Sequence, residues 1–184
     1  MARVGLAREA VGSLAIAGVL ALFAFVLPAV DRQIPSERPV PPAMPYAVGG
    51  SVTVVPPAGA SVELTQTRPG AERGSALFLV GDLRLAVVVG PFRGGLAEAE
   101  ERLRRRIEST GSTPGAAGQE VRTEQGVVGR HGTYTSPGRH GEYAVFLRDS
   151  EMVQATASGP ADAYPTLAPR VREWLRSITF GGSR

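Results

Sequence analysis

The sequence predicts an α+β fold, in which an antiparallel sheet is covered by helices, preceded by one N-terminal transmembrane helix. Three observations support this fold class. Short alternating or apolar runs are separated by glycine, proline and aspartate turns, a pattern typical of meandering strands. Two longer segments carry apolar residues at helical spacing. The first 30 residues contain an uncharged apolar run that is long enough to cross a bilayer.

Composition excludes several kinds of chemistry for these 184 residues. The sequence contains no cysteine, lysine or asparagine, so all 20 basic residues are arginine. Without cysteine there is no disulfide, no thiolate metal site and no cysteine nucleophile. Without lysine there is no phosphate-binding Walker loop and no Schiff base. The formal net charge is only +3, so we expect no strong field that would attract nucleic acid.

Residues 10–30 are the predicted transmembrane helix, because they carry no formally charged side chain between Glu9 and Asp31. At 1.5 Å per residue, about 20 residues cross the hydrocarbon core. A cleaved signal peptide, one alternative, has a shorter apolar run and a small-residue cleavage site. A buried core helix is the other alternative. Large C-terminal domains translocate largely regardless of charge, so we expect a cytoplasmic tail at residues 1–9 and an extracytoplasmic domain in the cell envelope.

Residues 31–46 form a predicted linker between the membrane segment and the domain. Five prolines lie between Pro35 and Pro45, and proline fixes the backbone in an extended geometry. We expect a semi-rigid spacer of about 3 Å per residue. The alternative is a polyproline ligand for an aromatic groove on another protein. The domain itself is predicted to span residues 47–180, followed by a tail at residues 181–184.

The first half of the domain is predicted to be a meander of strands. Gly81 and Asp82 separate two apolar runs and are typical of a two-residue hairpin turn. The run Val87–Val89 is apolar throughout, which predicts a strand buried on both faces. The predicted strands are residues 51–55, 61–66, 76–80 and 83–89.

A helix is predicted over residues 95–109, because apolar residues recur there at steps of three and four. Its apolar stripe comprises Phe92, Leu96, Ala99, Leu103 and Ile107. Acidic residues precede basic ones by four positions in three pairs, Glu98 with Arg102, Glu100 with Arg104 and Glu101 with Arg105. We therefore interpret the arginine cluster at residues 102–106 as a solvated helix face rather than a nucleic-acid or anionic-lipid patch.

The second half of the domain is predicted to hold a long hairpin and a closing helix. Residues 111–118 are a predicted loop, and the sequence Ser136-Pro137-Gly138-Arg139 is typical of a type II turn. Strands are predicted at residues 120–123, 127–135, 140–148 and 151–158. The final helix, residues 166–177, would have Pro169 in its first turn. Its inner stripe includes Trp174, which we interpret as a core residue, with a ligand-stacking platform as the alternative.

This order of elements resembles the PsbP-like fold, found in photosystem extrinsic subunits and many bacterial envelope proteins. The resemblance covers roughly residues 47–180. It is carried by the strand and turn SVTVVPPAG at residues 51–59 and by the closing sequence RSITF at residues 176–180. Members of that family often carry a tryptophan after the turn, where this chain has Ala60 and Ser61. The resemblance implies a binding or assembly module that is usually non-catalytic, and it brings no catalytic residue or cofactor.

The motif GRHG-x-Tyr occurs twice, from Gly129 to Tyr134 and from Gly138 to Tyr143. Its basic residues, Arg130, His131, Arg139 and His140, are the candidate contacts with a ligand or partner, such as an anionic group or lipid headgroup. If the hairpin pairs Ser136 with Arg139, the two histidines lie about 13 Å apart along the ladder, too far to share one zinc ion. We therefore expect no metal there, and a plain solvated hairpin is the simpler interpretation.

The sequence thus favours a single-pass anchored module that binds an envelope protein, a lipid or a transport partner, without nucleic acid and without a cofactor. The alternative is an envelope hydrolase that uses His131 or His140 as a general base. A catalytic histidine would lie in a cleft, with a hydroxyl or carboxylate group within hydrogen-bond reach.

Overall fold

A computed structural model describes residues 36–116 and 118–181 of the chain. The predicted transmembrane helix at residues 10–30, the predicted tail at 1–9 and residues 182–184 of the predicted tail at 181–184 lie outside these residues. Among the helices that are described, none is long and apolar enough to cross a membrane. The domain begins at Glu37.

The described residues form twelve strands and two helices. The elements in chain order are β1 Glu37–Pro39, β2 Tyr46–Gly49, β3 Val52–Val54, β4 Ser61–Glu63, β5 Gly74–Val80, β6 Leu83–Pro91, α1 Leu96–Ser109, β7 Thr113–Pro114, β8 Gln119–Arg122, β9 Val128–Ser136, β10 Arg139–Arg148, β11 Glu151–Pro160, α2 Tyr164–Arg176 and β12 Thr179–Phe180.

The main sheet is antiparallel, in the order β1-β4-β5-β6-β11-β10-β9-β7. Strand β8 pairs with β9 on the same edge as β7. Strands β12, β3 and β2 form a second, three-stranded sheet. The predicted α+β architecture of an antiparallel sheet with two helices is therefore confirmed.

Each helix covers one face of the main sheet. Helix α2 packs its buried Val171, Trp174 and Leu175 into the larger core cluster, with Phe78 and Phe146 from the sheet. Helix α1 packs on the opposite face in a smaller cluster, formed by Phe92, Ala99, Leu103, Ile107, Tyr143, Val145 and Met152. Trp174 is only 1% exposed, so its predicted core position is confirmed.

The predicted hairpins are confirmed in their register and turns. Gly81 lies in the left-handed region, with φ of 57°, between Val80 and Leu83, which face each other across β5 and β6. Ser136 pairs with Arg139, as predicted. Asp149 and Ser150 both have positive φ, at 49° and 65°. Two consecutive residues with positive φ match the type I′ turn, whose twist fits a two-residue hairpin.

Two details of the predicted packing are wrong. Val88 is 38% exposed, because successive side chains of β6 alternate between faces and α1 lies over β10 and β11 rather than over β6. Helix α2 begins at Tyr164, so Pro169 lies inside the helix and Pro165 takes the first-turn position. A proline at position 169 cannot donate to the carbonyl of Pro165, which removes one helical hydrogen bond.

Part of the predicted linker and part of the predicted loop are strands. Glu37–Pro39 pairs with Ser61–Glu63 as the last strand of the sheet, and Ser61 Oγ donates to the Glu37 carboxylate. A proline is tolerated there because an edge strand needs fewer ladder hydrogen bonds. Thr113–Pro114, inside the predicted loop at 111–118, pairs with β9. Both pairings are long-range contacts that proline-rich or glycine-rich composition does not reveal.

Candidate functional site

The two arginines of the repeated motif are held by partners within the domain. Arg130 Nε donates to Glu100 Oε2 at 3.1 Å. Arg139 donates from one nitrogen to the carbonyl oxygens of Asp82 and Ser158, each at 2.9 Å. Arg139 therefore ties the end of its own hairpin to the neighbouring turn. These contacts give both side chains a structural role.

The two histidines differ in their surroundings. His131 Nε2 lies 2.8 Å from Glu142 Oε2, and the Glu142 side chain is only 7% exposed. His140 is exposed and touches the Tyr164 ring edge, with ring centroids 6.5 Å apart. Because neighbouring residues of a strand point to opposite faces, Arg130 and His131 lie on opposite sides of the sheet. The four predicted contact residues therefore do not converge on one site.

His131 meets the geometric requirement for a general base, but its cavity is small. It has the carboxylate of Glu142 within reach and lines a small cavity of about 80 Å³ between β8, β9 and α2. The other residues around this cavity are Gln119, Glu120, Val121, Arg172, Leu175 and Arg176. None of these side chains has a hydroxyl or thiol, so this arrangement offers a base without a protein nucleophile.

The glycines of the repeated motif make room for tyrosines on the opposite strand. Gly132 faces Tyr143, and Gly141 faces Tyr134 in the same register. A Cβ atom at Gly132 would lie 2.5 Å from Cζ of Tyr143, and one at Gly141 would lie 2.5 Å from Cε1 of Tyr134. Two reciprocal glycine–tyrosine pairs thus explain why the motif repeats within one hairpin. The repeat is a packing device.

A buried carboxylate lies beneath α1 and was not predicted. Glu100 accepts hydrogen bonds from Gly118 N at 2.6 Å and from the Tyr143 hydroxyl at 3.0 Å, besides that from Arg130. Arg104, its predicted partner, instead donates to the Tyr143 hydroxyl at 3.1 Å. The sequence contains the signal, because the spacing of Leu96, Glu100, Leu103 and Ile107 places Glu100 on the apolar stripe.

A cavity of about 530 Å³, which we call the Trp174 cavity, lies beside α2. Its apolar wall is formed by the chain at residues 55–58, residues 42–43 and the Trp174 ring. Gly59 closes the adjoining turn with φ of 80°, a conformation that favours glycine. The polar lining residues are Glu124, Arg170, Glu173 and Ser177. Its size is in the range of small-molecule and side-chain pockets.

Two buried polar atoms of the described residues have no hydrogen-bond partner, and both belong to α2. They are the Trp174 indole nitrogen and the Tyr164 hydroxyl. Burial raises the pKa of Tyr164 well above its usual range, and the negative charge of Glu142 adds to this effect. Buried polar groups are normally paired, so these two atoms make α2 the described element whose buried hydrogen bonding is least complete.

The rim of the Trp174 cavity is charged while its floor is apolar. Glu124, Arg170 and Glu173 form no ion pair with another described side chain. The chain at the rim is fixed by its backbone, since Glu124 N–H donates to the Arg176 carbonyl at 2.9 Å. An apolar centre surrounded by unpaired charges is the usual anatomy of a protein–protein contact.

Comparison with known proteins identifies the fold. No protein-family model matches the sequence, and comparison with curated proteins also finds no match. The structure is similar to that of cyanobacterial PsbP (CyanoP) from Synechocystis sp. PCC 6803, with a TM-score of 0.53 and 13% identity, covering 80% of this chain and 94% of that one. It is also similar to a mutant of the protein Mog1, with a TM-score of 0.51 and 15% identity, covering 80% and 97% of the two chains.

The Saccharomyces cerevisiae Ran-binding protein Mog1p matches with a TM-score of 0.49 and 14% identity, covering 71% of this chain and 90% of that one. The first two similarities establish the class of structure. The described domain has the PsbP-like fold, as the sequence resemblance predicted.

Proposed function

We propose that this protein is a single-pass, membrane-anchored, extracytoplasmic module that binds a protein partner of the cell envelope at the Trp174 cavity. The anchor is residues 10–30, with residues 1–9 in the cytoplasm. The domain begins at β1, so residues 37–39 of the proline-rich stretch belong to the sheet rather than to a spacer. The role is non-catalytic.

The observation that carries this proposal is the Trp174 cavity itself. It combines about 530 Å³ of largely apolar concave surface with the unpaired charges of Glu124, Arg170 and Glu173. A partner that inserts an apolar side chain there would bury it against Trp174 and the prolines at 56 and 57. Large apolar anchors in a pocket provide most of the binding energy in many interfaces.

A protein partner fits this site better than a lipid does. The rim carries both signs of charge, one arginine and two glutamates, whereas an anionic membrane surface attracts a patch of purely basic residues. The hydrolase alternative has one observation in its favour, the contact of His131 with Glu142 at 2.8 Å. The cavity beside His131 is only about 80 Å³ and its lining has no hydroxyl or thiol nucleophile, so the Trp174 cavity favours the binding role.

Placement can be tested in the full chain. We expect a reporter fused after Arg184 to be active on the extracytoplasmic side, and the protein to stay in the membrane fraction at high salt. Recovery of a soluble mature form that begins near Val30 or Asp31 would mean that residues 10–30 are a cleaved signal peptide.

The binding site can be tested by photo-crosslinking in the producing cells. A photoreactive residue replaces exposed Ala58 at the Trp174 cavity or, as the matched control, exposed Ala97 on α1. We expect one discrete protein adduct from position 58 and none from position 97. Adducts of equal yield from both positions, or none from position 58, would contradict a partner at the Trp174 cavity.

A further inference from the structure

Strand β8, Gln119–Arg122, has one open edge. Its only strand partner among the described residues is β9, with Gln119 opposite His131 and Arg122 opposite Val128. Three of its four residues are exposed. The groove along this edge has a volume of about 500 Å³ and is lined by Glu120, Val121, Arg122, Thr123, Glu124 and Arg176. Because the lining includes consecutive residues of both strand faces, the groove lies along the edge itself.

The hydrogen-bond pattern identifies which backbone groups face this edge. Thr123 N–H donates to the Val127 carbonyl at 3.1 Å, continuing the register of β8 and β9 by one residue. Bonded and non-bonded pairs alternate along an antiparallel ladder, so Val121 and Gln119 also bond to β9. The N–H and C=O groups of Glu120 and Arg122 therefore point outward to the open edge. They are available to another strand.

The charges along this edge match those of a second copy of the same edge that runs antiparallel to it. The sequence Glu120-Val121-Arg122 has opposite charges on either side of its centre, and within one chain Arg122 Nη2 donates to Glu120 Oε1 at 2.7 Å between exposed side chains. When two copies run antiparallel about a two-fold axis at Val121, Glu120 of each copy faces Arg122 of the other. Opposite charges in directly facing positions stabilise an antiparallel pair, and a two-fold interface must match itself in this way.

The backbone and the side chains require the same register. With the axis at Val121, the outward N–H and C=O groups of Glu120 and Arg122 in one copy face those of Arg122 and Glu120 in the other. Each such pair exchanges two hydrogen bonds, as in any hydrogen-bonded pair of an antiparallel ladder. An acidic peptide would leave Glu120 beside a like charge, so the edge fits a second copy better.

We propose that two copies of this chain pair through β8, antiparallel about Val121, to form a symmetric dimer with a continuous sheet. The contact is short, so it is weak between freely diffusing molecules and is strengthened where both copies are confined together. Glu124 lines both the groove along β8 and the rim of the Trp174 cavity. Trapping at position 121 reports on the dimer alone, so its failure would leave the binding proposal standing.

Disulfide trapping tests this register directly, because the chain has no cysteine of its own. In the proposed dimer Val121 faces Val121 of the second copy in a non-hydrogen-bonded pair, where Cα atoms lie about 4.5 Å apart and a disulfide fits. Full-length Val121→Cys is oxidised with copper phenanthroline, with Gln119→Cys on the same face as the matched control. We expect a disulfide-linked dimer from position 121 and almost none from position 119.

Charge reversal then tests the complementarity. In the Val121→Cys chain, Glu120→Arg should lower the dimer yield about tenfold, because like charges now face each other in both pairs. Adding Arg122→Glu should restore the yield. Circular dichroism of each variant checks that the exposed substitutions leave the fold intact. Equal trapping at positions 119 and 121, a yield insensitive to Glu120→Arg, or trapping of a different protein at position 121 would overturn the proposal.

Discussion

The two faces of the main sheet handle buried polar groups differently. On the α1 face, the Tyr143 hydroxyl is fully enclosed, donates to Glu100 and accepts from Arg104. On the α2 face, the Tyr164 hydroxyl and the Trp174 indole N–H are enclosed without a partner. A buried polar group without a hydrogen bond costs about 1–3 kcal/mol of folding free energy.

This difference indicates which face is scaffold and which is adapted to bind. On the α1 face the buried hydroxyl of Tyr143 is hydrogen-bonded within the domain, and tyrosine rings pack against glycines. Among the described residues, this face therefore has no buried polar side-chain atom that a partner would need to pair. The α2 face keeps unpaired donors, and the Trp174 cavity opens beside it. Natural proteins retain such local costs mainly at functional sites.

The largest expected effect comes from truncating the α2 core. Trp174→Ala should lower the free energy of unfolding by about 3–5 kcal/mol and Leu175→Ala by about 2–5 kcal/mol, because each leaves a cavity in a packed core. Arg172→Ala, on the exposed side of the same helix, should change it by less than about 1 kcal/mol. Denaturant titration of the full chain measures all three. A wild-type midpoint for Trp174→Ala together with lost partner binding would make Trp174 a recognition residue only.

On the α1 face, Gly141→Ala should cost about 1–3 kcal/mol, because the new methyl group overlaps the Tyr134 ring. Gly95→Ala is the matched control, since a Cβ atom there meets nothing within 4 Å and φ is −83°. Gly95 is the N-cap of α1, where glycine is preferred to alanine, so the control should lose less than about 1 kcal/mol. Thermal or denaturant unfolding separates the two. Equal losses would mean that the glycine–tyrosine pairs are not tightly packed.

Alkaline unfolding sharpens the comparison further. Burial raises the pKa of Tyr134, Tyr143 and Tyr164 above the usual value of about 10. Above that pH the unfolded chain releases tyrosine protons that the folded chain retains, so stability falls as pH rises. Each such tyrosine contributes about 1.4 kcal/mol per pH unit until its folded pKa is reached. Tyr164→Phe should therefore reduce the steepness of the fall above pH 10, and an unchanged slope would mean that Tyr164 is not shielded from solvent.

The smallest expected effect is at neutral pH, where removing the hydroxyl of Tyr143 or of Tyr164 should change the free energy of unfolding in different directions. Tyr143→Phe should destabilise the protein by about 1 kcal/mol, because it removes a paired hydroxyl and leaves Glu100 with one donor fewer. Tyr164→Phe should be neutral or slightly stabilising, since its hydroxyl is buried without a partner. Equal destabilisation by both substitutions, measured by denaturant midpoint, would remove the proposed difference between the faces.

Local sequence signals predicted the longer strands, the hairpin register and both helices, but not the short strands β1, β2, β7 and β12. The turn at Gly138 fixes the pairing of Ser136 with Arg139, and every later pair along the hairpin follows from it. The burial of Glu100 was missed because its charge matched an exposed i,i+4 pair with Arg104. Its true partners, Gly118 and Tyr143, come from distant parts of the chain.

The binding site was harder to predict than the fold. The four basic residues of the repeated motif were predicted as contact candidates because they recur in the motif. Side chains alternate along a strand, so these residues lie on two different faces of the sheet. The Trp174 cavity joins residues 42–43, 55–58 and α2, which are far apart in sequence. These segments come together only when α2 packs against the sheet, so no local sequence pattern predicts the cavity.

The most direct test of the central claim uses the only tryptophan in the chain. Its indole N–H gives one resonance, and that nitrogen is buried without an acceptor in the free protein. The full chain is titrated with the partner captured at position 58 while this resonance and the amide resonances of α1 are followed. We predict that the Trp174 indole signal shifts on binding while the amides of α1 stay in place. Saturable binding that shifts the α1 amides and leaves the indole signal unchanged would contradict a binding face at α2.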